Sequence, residues 1–105
     1  MADDKIQKAL EAIEVAKNTG KLKKGSNEVT KALERGTAQL VAFAKDVQPK
    51  EVVMHLPILA KEKKIPCIEV NSKEELGVAA GIGRPTSAVA IIDAGDAKKV
   101  IEQLK

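Results

Sequence analysis

Gln39-Leu-Val-Ala-Phe-Ala44 is an almost uninterrupted apolar run near the middle of the chain. Such a run predicts a short strand buried on both faces, with Phe43 in the core. Two further segments have this character, Cys67-Ile-Glu-Val70 and the Val- and Ile-rich segment from Thr86 to Ile92. Strands of this kind need helices over both faces of their sheet.

Helical periodicity fills the segments before and after this first strand. Ile6, Leu10 and Ile13 predict an amphipathic helix that ends at Asn18-Thr19-Gly20, and a short basic strand follows near Leu22. A second helix is expected from Ser26 to about Arg35, with Gly36 as its stop signal.

The later helices carry clear start signals. Pro49 is expected to open a long helix, and Pro57 inside that helix predicts a kink or a break near His55-Leu56. Ser72-Lys-Glu-Glu75 is a capping box that opens a helix to about Ala80, which Gly81 ends. Residues 96–104 are expected to form a terminal helix. The pattern predicts one domain over residues 1–105, a three-layer α/β/α sandwich with a mixed central sheet.

Composition restricts the classes of protein that this chain can belong to. The chain has 105 residues, 44% hydrophobic and 31% charged, which predicts a folded domain with one modest core. No apolar stretch approaches the length of a membrane span and no secretory signal is visible. A single cysteine, Cys67, forbids an internal disulfide and fits a reducing cytoplasm.

Aromatic residues are nearly absent. The chain has no Trp, no Tyr and one Phe. RNA-recognition motifs and oligonucleotide-binding barrels stack bases on several exposed rings. The composition therefore argues against both classes, and the net charge of +3 permits a nucleic-acid partner without requiring one.

The segment Lys24-Gly-Ser-Asn-Glu-Val-Thr-Lys31 has the clearest functional pattern. Gly25 and Ser26 allow a tight turn whose free amides can meet an anion, and the preceding basic run includes Lys23. Asn27, Glu28 and Lys31 share one face of the following helix. A carboxylate among lysines suggests a target with hydrogen-bond donors, such as an exposed guanine or cytosine edge. The alternative is an ordinary solvated helix start in which Glu28 favours the dipole.

The competing class of protein is an enzyme, and three features of the sequence bear on catalysis. Gly77-Val-Ala-Ala-Gly-Ile-Gly83 is glycine-rich but follows a predicted helix, so it matches neither the dinucleotide fingerprint nor the P-loop. The only histidine, His55, lies mid-helix, and Cys67 opens a buried strand without a basic partner. No metal-ligand cluster or carboxylate pair is apparent. The sequence therefore predicts no catalysis, no cofactor and no metal.

Four segments carry a family resemblance that covers essentially the whole chain. In order, they are Lys24-Gly-Ser-Asn-Glu-Val-Thr-Lys-Ala-Leu-Glu-Arg-Gly36, Pro49-Lys-Glu-Val-Val-Met-His-Leu-Pro-Ile-Leu59, Ile65-Pro-Cys-Ile-Glu-Val-Asn-Ser-Lys-Glu-Glu-Leu-Gly77 and Gly81-Ile-Gly-Arg-Pro85. Together they resemble the L7Ae family of archaeal large-subunit ribosomal proteins. The resemblance implies an α/β/α sandwich that binds the kink-turn, an RNA helix bent sharply at a short bulge beside tandem sheared G·A pairs.

The resemblance also implies roles for individual residues. Asn27, Glu28 and Lys31 match the positions that contact the sheared pairs, whose guanine edges offer donors to a carboxylate. Gln48, Val52 and Lys73 match a pocket for one extruded nucleotide. Gln48 replaces the acidic residue often found at its position in the family, which leaves the base preference of the pocket open. The alternative to a nucleotide pocket is that Gln48 and Val52 are ordinary helix-start residues and Lys73 is an ordinary exposed lysine.

The loop Ile82-Gly83-Arg84 departs from the archaeal pattern. Archaeal members of the family usually have an acidic residue followed by an apolar residue at the two positions after the first loop residue. This chain has Gly83-Arg84 at those positions, which resembles the eukaryotic small-nuclear-ribonucleoprotein relative instead. In the family this loop lies against the RNA bulge, so Arg84 is expected to add a phosphate or stacking contact. An exposed, merely solvated arginine is the alternative.

These observations predict a non-catalytic, cytoplasmic RNA-binding protein, monomeric when free and without a membrane partner. The resemblance implies ribosomal RNA, the box C/D and H/ACA guide RNAs for ribose methylation and pseudouridylation, and ribonuclease P RNA as targets. It also implies core proteins of the guide ribonucleoproteins as partners. The alternatives are a protein-interaction scaffold of the same fold and, less favoured, a small nucleotide-binding enzyme.

Overall fold

The computed structural model of the chain describes residues 2–46 and 51–104, without the side chains of residues 2–4, 51–53 and 104. Helices and strands alternate along the described residues. In chain order the elements are α1 (Ala2–Thr19), β1 (Lys21–Lys24), α2 (Ser26–Arg35), β2 (Leu40–Ala44), α3 (Glu51–Glu62), β3 (Cys67–Val70), α4 (Lys73–Ala79), β4 (Ala88–Asp93), a 3₁₀ turn (Gly95–Ala97) and α5 (Lys98–Leu104).

The four strands form one mixed sheet in the order β1-β4-β2-β3. Strand β4 is antiparallel to β1 and to β2, whereas β2 and β3 are parallel. The central strands carry the core, since β2 is buried along its whole length and β4 is buried from Ala88 to Ile91. Strand β1 is an edge strand and is mostly exposed.

Helices cover the sheet on both faces. Helix α1 packs against α4 and α5, while α2 packs against α3, and the helices of each group contact the strands. The predicted three-layer α/β/α sandwich with a mixed sheet is confirmed. Phe43 lies in the core, as the apolar run predicted.

Local signals placed most of the element ends correctly. Helix α2 runs from Ser26 to Arg35, and Gly36 ends it in the left-handed conformation, its N–H bonding to carbonyls of the last turn. Ser72 caps α4 by accepting hydrogen bonds from the Glu74 and Glu75 amides. The last strand starts at Ala88 rather than Thr86, so Thr86 and Ser87 precede it.

Of the kink or break predicted near His55-Leu56, the break does not occur. Helix α3 is continuous from Glu51 to Glu62, with Pro57 inside it. Pro57 is exposed, whereas Leu56 and Ala60 on either side of it are buried in the core. Packing of this buried face holds the helix together despite the hydrogen bond that proline removes. The predicted helix start at Pro49 lies outside the described residues.

Candidate functional site

A glycine turn joins β1 to α2 at the carboxyl end of the edge strand. Gly25 has φ 92° and ψ 149°, a conformation that residues with a side chain essentially never adopt. Its N–H donates to the carbonyl of Ala88 at 2.8 Å, and the Ser26 N–H donates to Ser87 Oγ at 3.2 Å. The beginning of β4 therefore fixes the first residues of α2.

The first turn of α2 is open to an anion. Its cap residue, Gly25, has no side chain to accept from the helix amides, so Ser87 Oγ accepts from the Ser26 N–H alone and no side chain accepts from the Asn27 and Glu28 amides. Unoccupied amides and the helix dipole together favour a negatively charged group at this end. Glu28 lies in the same turn.

One face of α2 is buried and the other is polar. Val29, Ala32 and Leu33 pack into the core. As a consequence, the three residues that were predicted to read an RNA edge are exposed: Asn27, Glu28 and Lys31. The structure thus places them together on the solvent face of α2, directly after the glycine turn.

A hydrogen-bond chain ties this helix start to α3. The Thr30 hydroxyl donates to the Ser26 carbonyl at 2.7 Å, and its oxygen lies 2.6 Å from His55 Nε2. With the Thr30 proton directed to the Ser26 carbonyl, the tautomer of His55 that carries its proton on Nε2 completes this chain by donating to the Thr30 oxygen. The half-buried His55 therefore links two helices and supports the start of α2.

The loop after α4 is held close to that helix. Gly81 and Gly83 have φ 74° and 78°, and the Ile82 N–H donates to the Gly77 carbonyl at 3.0 Å. A Cβ on Gly77 would overlap the Arg84 carbonyl oxygen. The Thr86 N–H donates to the Lys73 carbonyl at 3.1 Å. These contacts fix a loop in which Gly83 and Arg84 are exposed and Ile82 packs against the core.

The glycine turn and this loop meet in an open cleft of about 520 Å³. Lys24 and Gly25 line it from one side, and Ile82 and Arg84 from the other. The remaining lining residues are Pro85, Thr86 and Ser87. The pairing of β1 with β4 creates this cleft, because it brings together segments that are almost sixty residues apart in the chain.

A second, smaller hollow of about 250 Å³ lies along α2. The predicted Lys23, Glu28 and Lys31 line it, so the carboxylate shares this hollow with two lysines. Arg35 lines it as well and was not among the predicted residues, although it follows Lys31 by one helical turn. Pro85, Thr86 and Ser87 line the cleft but were not among the predicted site residues. Thr86 and Ser87 fall within the strand that the sequence predicts from Thr86 to Ile92.

The predicted pocket of Gln48, Val52 and Lys73 is only partly within the described residues. Gln48 lies outside them, and the side chain of Val52 in α3 is not described. Lys73 is exposed at the first position of α4, and its N–H donates to Asp46 Oδ1 at 2.9 Å. Asp46 thereby joins the segment after β2 to the start of α4.

The glycine-rich segment and Cys67, two features of the sequence that bear on catalysis, do not form a catalytic arrangement. The glycine-rich segment begins inside α4 and follows it, so it does not connect a strand to a helix as phosphate loops do. Burial, with a contribution from the Glu69 charge, raises the pKa of Cys67 to about 12, which disfavours the nucleophilic thiolate. Within residues 2–46 and 51–104, no cluster of three or more His, Cys, Asp or Glu could hold a metal ion.

None of the helices that the structure describes is long and apolar enough to cross a membrane.

Comparison with known proteins identifies a sequence family and a similar solved structure. The sequence model of the "Ribosomal protein L7Ae/L30e/S12e/Gadd45 family" matches residues 7–101. Among solved structures, the fold is similar to the "Giardia lamblia 15.5kD RNA binding protein", with a TM-score of 0.89 and 30% sequence identity. That alignment covers 96% of this chain and 84% of the Giardia chain.

Proposed function

Because the chain belongs to the L7Ae/L30e/S12e/Gadd45 family, we propose that it is a non-catalytic RNA-binding protein that recognises kink-turns containing sheared G·A pairs. The similar Giardia protein, described as RNA-binding, supports the general activity. The specificity for kink-turns is inferred from the residues of the candidate site.

The observation that carries the proposal is the cleft in which Lys24 and Gly25 face Ile82 and Arg84, next to the polar face of α2. Its size and position suit an irregular RNA segment, with phosphates near the open amides of α2 and near the lysines. Lysines position the RNA in this arrangement, and they carry no sequence information themselves.

Glu28 and Asn27 would specify the target. A sheared G·A pair leaves the Watson–Crick edge of guanine free, and its N–H donors match a carboxylate acceptor. Asn27 can both donate and accept at a base edge. Because Lys23 and Lys31 line the same hollow as Glu28, the carboxylate can approach RNA despite its charge.

The remaining predicted residues would contact the RNA bulge. Ile82 and Arg84 would lie against it from the loop after α4, with Gly83 allowing the turn between them. Gln48, Val52 and Lys73 would surround one extruded nucleotide. Arg84 is exposed and can offer both a charge and a planar face to this part of the RNA.

The protein would act by shifting an equilibrium of the RNA. Binding the bent form more tightly than the extended form stabilises the bend by the difference in binding free energy, without a chemical step. The bent RNA would then accept partner proteins. Ribosomal RNA, box C/D and H/ACA guide RNAs and ribonuclease P RNA are the proposed targets, with guide-ribonucleoprotein core proteins as partners.

A gel-shift comparison tests the proposal. One RNA contains a kink-turn, and a second is identical except that Watson–Crick pairs replace its G·A pairs. We expect tight binding to the first and a loss of at least about tenfold with the second. Equal affinity for both would reject kink-turn recognition, and binding to neither would reject RNA binding under the conditions used.

A further inference from the structure

An open groove of about 470 Å³ lies between α1 and α4, separate from the cleft described above. Leu10 from α1 and Val78 from α4 supply its apolar surface. Glu14, Glu74 and Glu75 line it as well.

Val78 has no role in the core. It is 68% exposed, whereas Leu76, Gly77 and Ala79 beside it in α4 are buried. A β-branched residue also has a lower helix propensity than Ala, Lys or Glu, so local structure gives no reason for valine at this position. Together with Leu10, Val78 gives the groove an apolar surface that a partner's apolar side chain could remove from water.

The charge of this groove is opposite to that of the candidate RNA site. Three carboxylates line it, and none of the described residues that line it is Lys or Arg. The cleft beside α2 contains Lys24 and Arg84 without a carboxylate, and the whole chain carries a net charge of +3. RNA phosphates would be repelled by the groove, so its occupant must be of another kind.

We propose that this groove binds a cationic amphipathic segment of a partner protein. An apolar side chain of the segment would pack on Val78 and Leu10. Its lysines or arginines would approach the three glutamates at the rim, which gives both steering and orientation. Amphipathic helices in grooves are a recurrent mode of peptide recognition and combine these same two features.

The position of the groove suits assembly on a bound RNA. Helix α4 contributes Val78 to the groove, while Gly77, the residue before it, lies under the carbonyl of Arg84 in the cleft. A partner segment in the groove would therefore contact the same helix that positions the loop of the proposed RNA site. The proposed segment does not depend on RNA for its own binding, so this inference does not rest on the proposed function.

Fluorescence anisotropy with a labelled synthetic peptide tests the inference. The peptide is an 18-residue helix with Leu at i, i+3, i+4 and i+7 and with Arg and Ala elsewhere. We expect Glu14→Gln combined with Glu75→Gln to weaken binding about tenfold at low salt, and Val78→Ser to weaken it about fivefold. A peptide with Glu in place of Arg is expected not to bind.

Matched variants separate this groove from general charge attraction. Glu34→Gln with Glu62→Gln changes the net charge equally, and Ile58→Ser removes another exposed apolar side chain, 64% exposed, on α3. These controls should bind the peptide as the unmodified protein does. Equal losses in the controls, or no binding to the unmodified protein at low salt, would overturn the proposal. Sedimentation tests the alternative occupant, a second copy of this chain. If the protein dimerises and Glu14→Gln combined with Glu75→Gln abolishes the dimer, the proposal is also overturned.

Discussion

Glu28 is the residue on which the proposed specificity depends most directly. It lies in a hollow with Lys23, Lys31 and Arg35, so a carboxylate at this position is surrounded by groups that attract phosphate. We expect Glu28→Gln to reduce the affinity for kink-turn RNA by about 1–3 kcal/mol, because the amide is a weaker acceptor for guanine donors. The preference for G·A pairs over Watson–Crick pairs should fall as well, measured by gel shift on both RNAs.

Glu34→Gln provides the control for this change. Glu34 is exposed on the same helix and does not line either hollow, so its replacement alters the net charge equally. We expect it to leave the discrimination unchanged. If both variants lose affinity equally on the two RNAs, Glu28 acts only through its charge and not as a base-reading group.

Cys67 gives a prediction that is independent of RNA. Burial raises the pKa of its thiol from 9.0 to about 12, with a smaller contribution from Glu69. Because the folded state favours the neutral thiol, this contribution to the free energy of unfolding is complete below pH 9 and is lost as the pH rises towards 12. Urea unfolding at pH 8 and pH 10.5 should therefore show a larger loss of stability for the unmodified protein than for Cys67→Val. Equal losses would show that Cys67 has the same pKa in both states.

At the scale of elements, α4 and its loop depend on a glycine at position 77. In an ordinary helix, Gly→Ala stabilises by about 0.5–1 kcal/mol. Here a Cβ would overlap the Arg84 carbonyl oxygen, so we expect Gly77→Ala to destabilise the protein by about 1–3 kcal/mol. Chemical denaturation measures the sign of this change. A stabilised variant would mean that the loop after α4 moves away at no cost.

The same loop is expected to influence selectivity among kink-turns, because Ile82 and Arg84 are proposed to lie against the RNA bulge. Gly83 has φ 78°, so a two-residue exchange that includes it would add backbone strain to the effect on RNA. Arg84→Val alone avoids this problem. We expect it to change the ranking of affinities among kink-turns that differ only in the bulge, while the dependence on G·A pairs persists. An unchanged ranking in a binding panel, with folding confirmed by circular dichroism, would make Arg84 an ordinary surface residue.

Elements with local start and stop signals were predictable from the sequence. Gly36 and Ser72 act through neighbouring backbone groups, so α2 and the start of α4 could be located by inspection. Pro57 does not break α3, because the buried face of this helix overrides the local defect. The start of β4 was misplaced because Thr86 and Ser87 make hydrogen bonds to distant residues, which periodicity does not reveal.

At the scale of the whole molecule, the sheet explains why the candidate site is only partly visible in the sequence. The turn at Gly25 has a local signal, but its meeting with Arg84 depends on the pairing of β1 with β4. In the sequence, only the family resemblance relates the turn at Gly25 to the loop that contains Arg84. The acidic groove between α1 and α4 has no local signal, since its residues come from two segments that are at least 60 residues apart in the chain.

The distribution of lysines over the molecule gives the last prediction. Lys24 and Ser87 both line the cleft. The Ser87 carbonyl accepts a hydrogen bond from the N–H of Ala44, the last residue of β2, so the cleft lies at the carboxyl end of that strand. Lys98 lines a hollow with Pro66, which precedes β3, at the opposite end of the parallel strands. If Lys24 contacts a phosphate, Lys24→Ala should reduce the slope of log affinity against log salt by about one unit. Lys98→Ala removes the same charge far from the proposed RNA and should leave the slope unchanged. Titrations of one kink-turn RNA at several salt concentrations measure both, and equal slopes for Lys24→Ala and the unmodified protein would place the phosphates elsewhere.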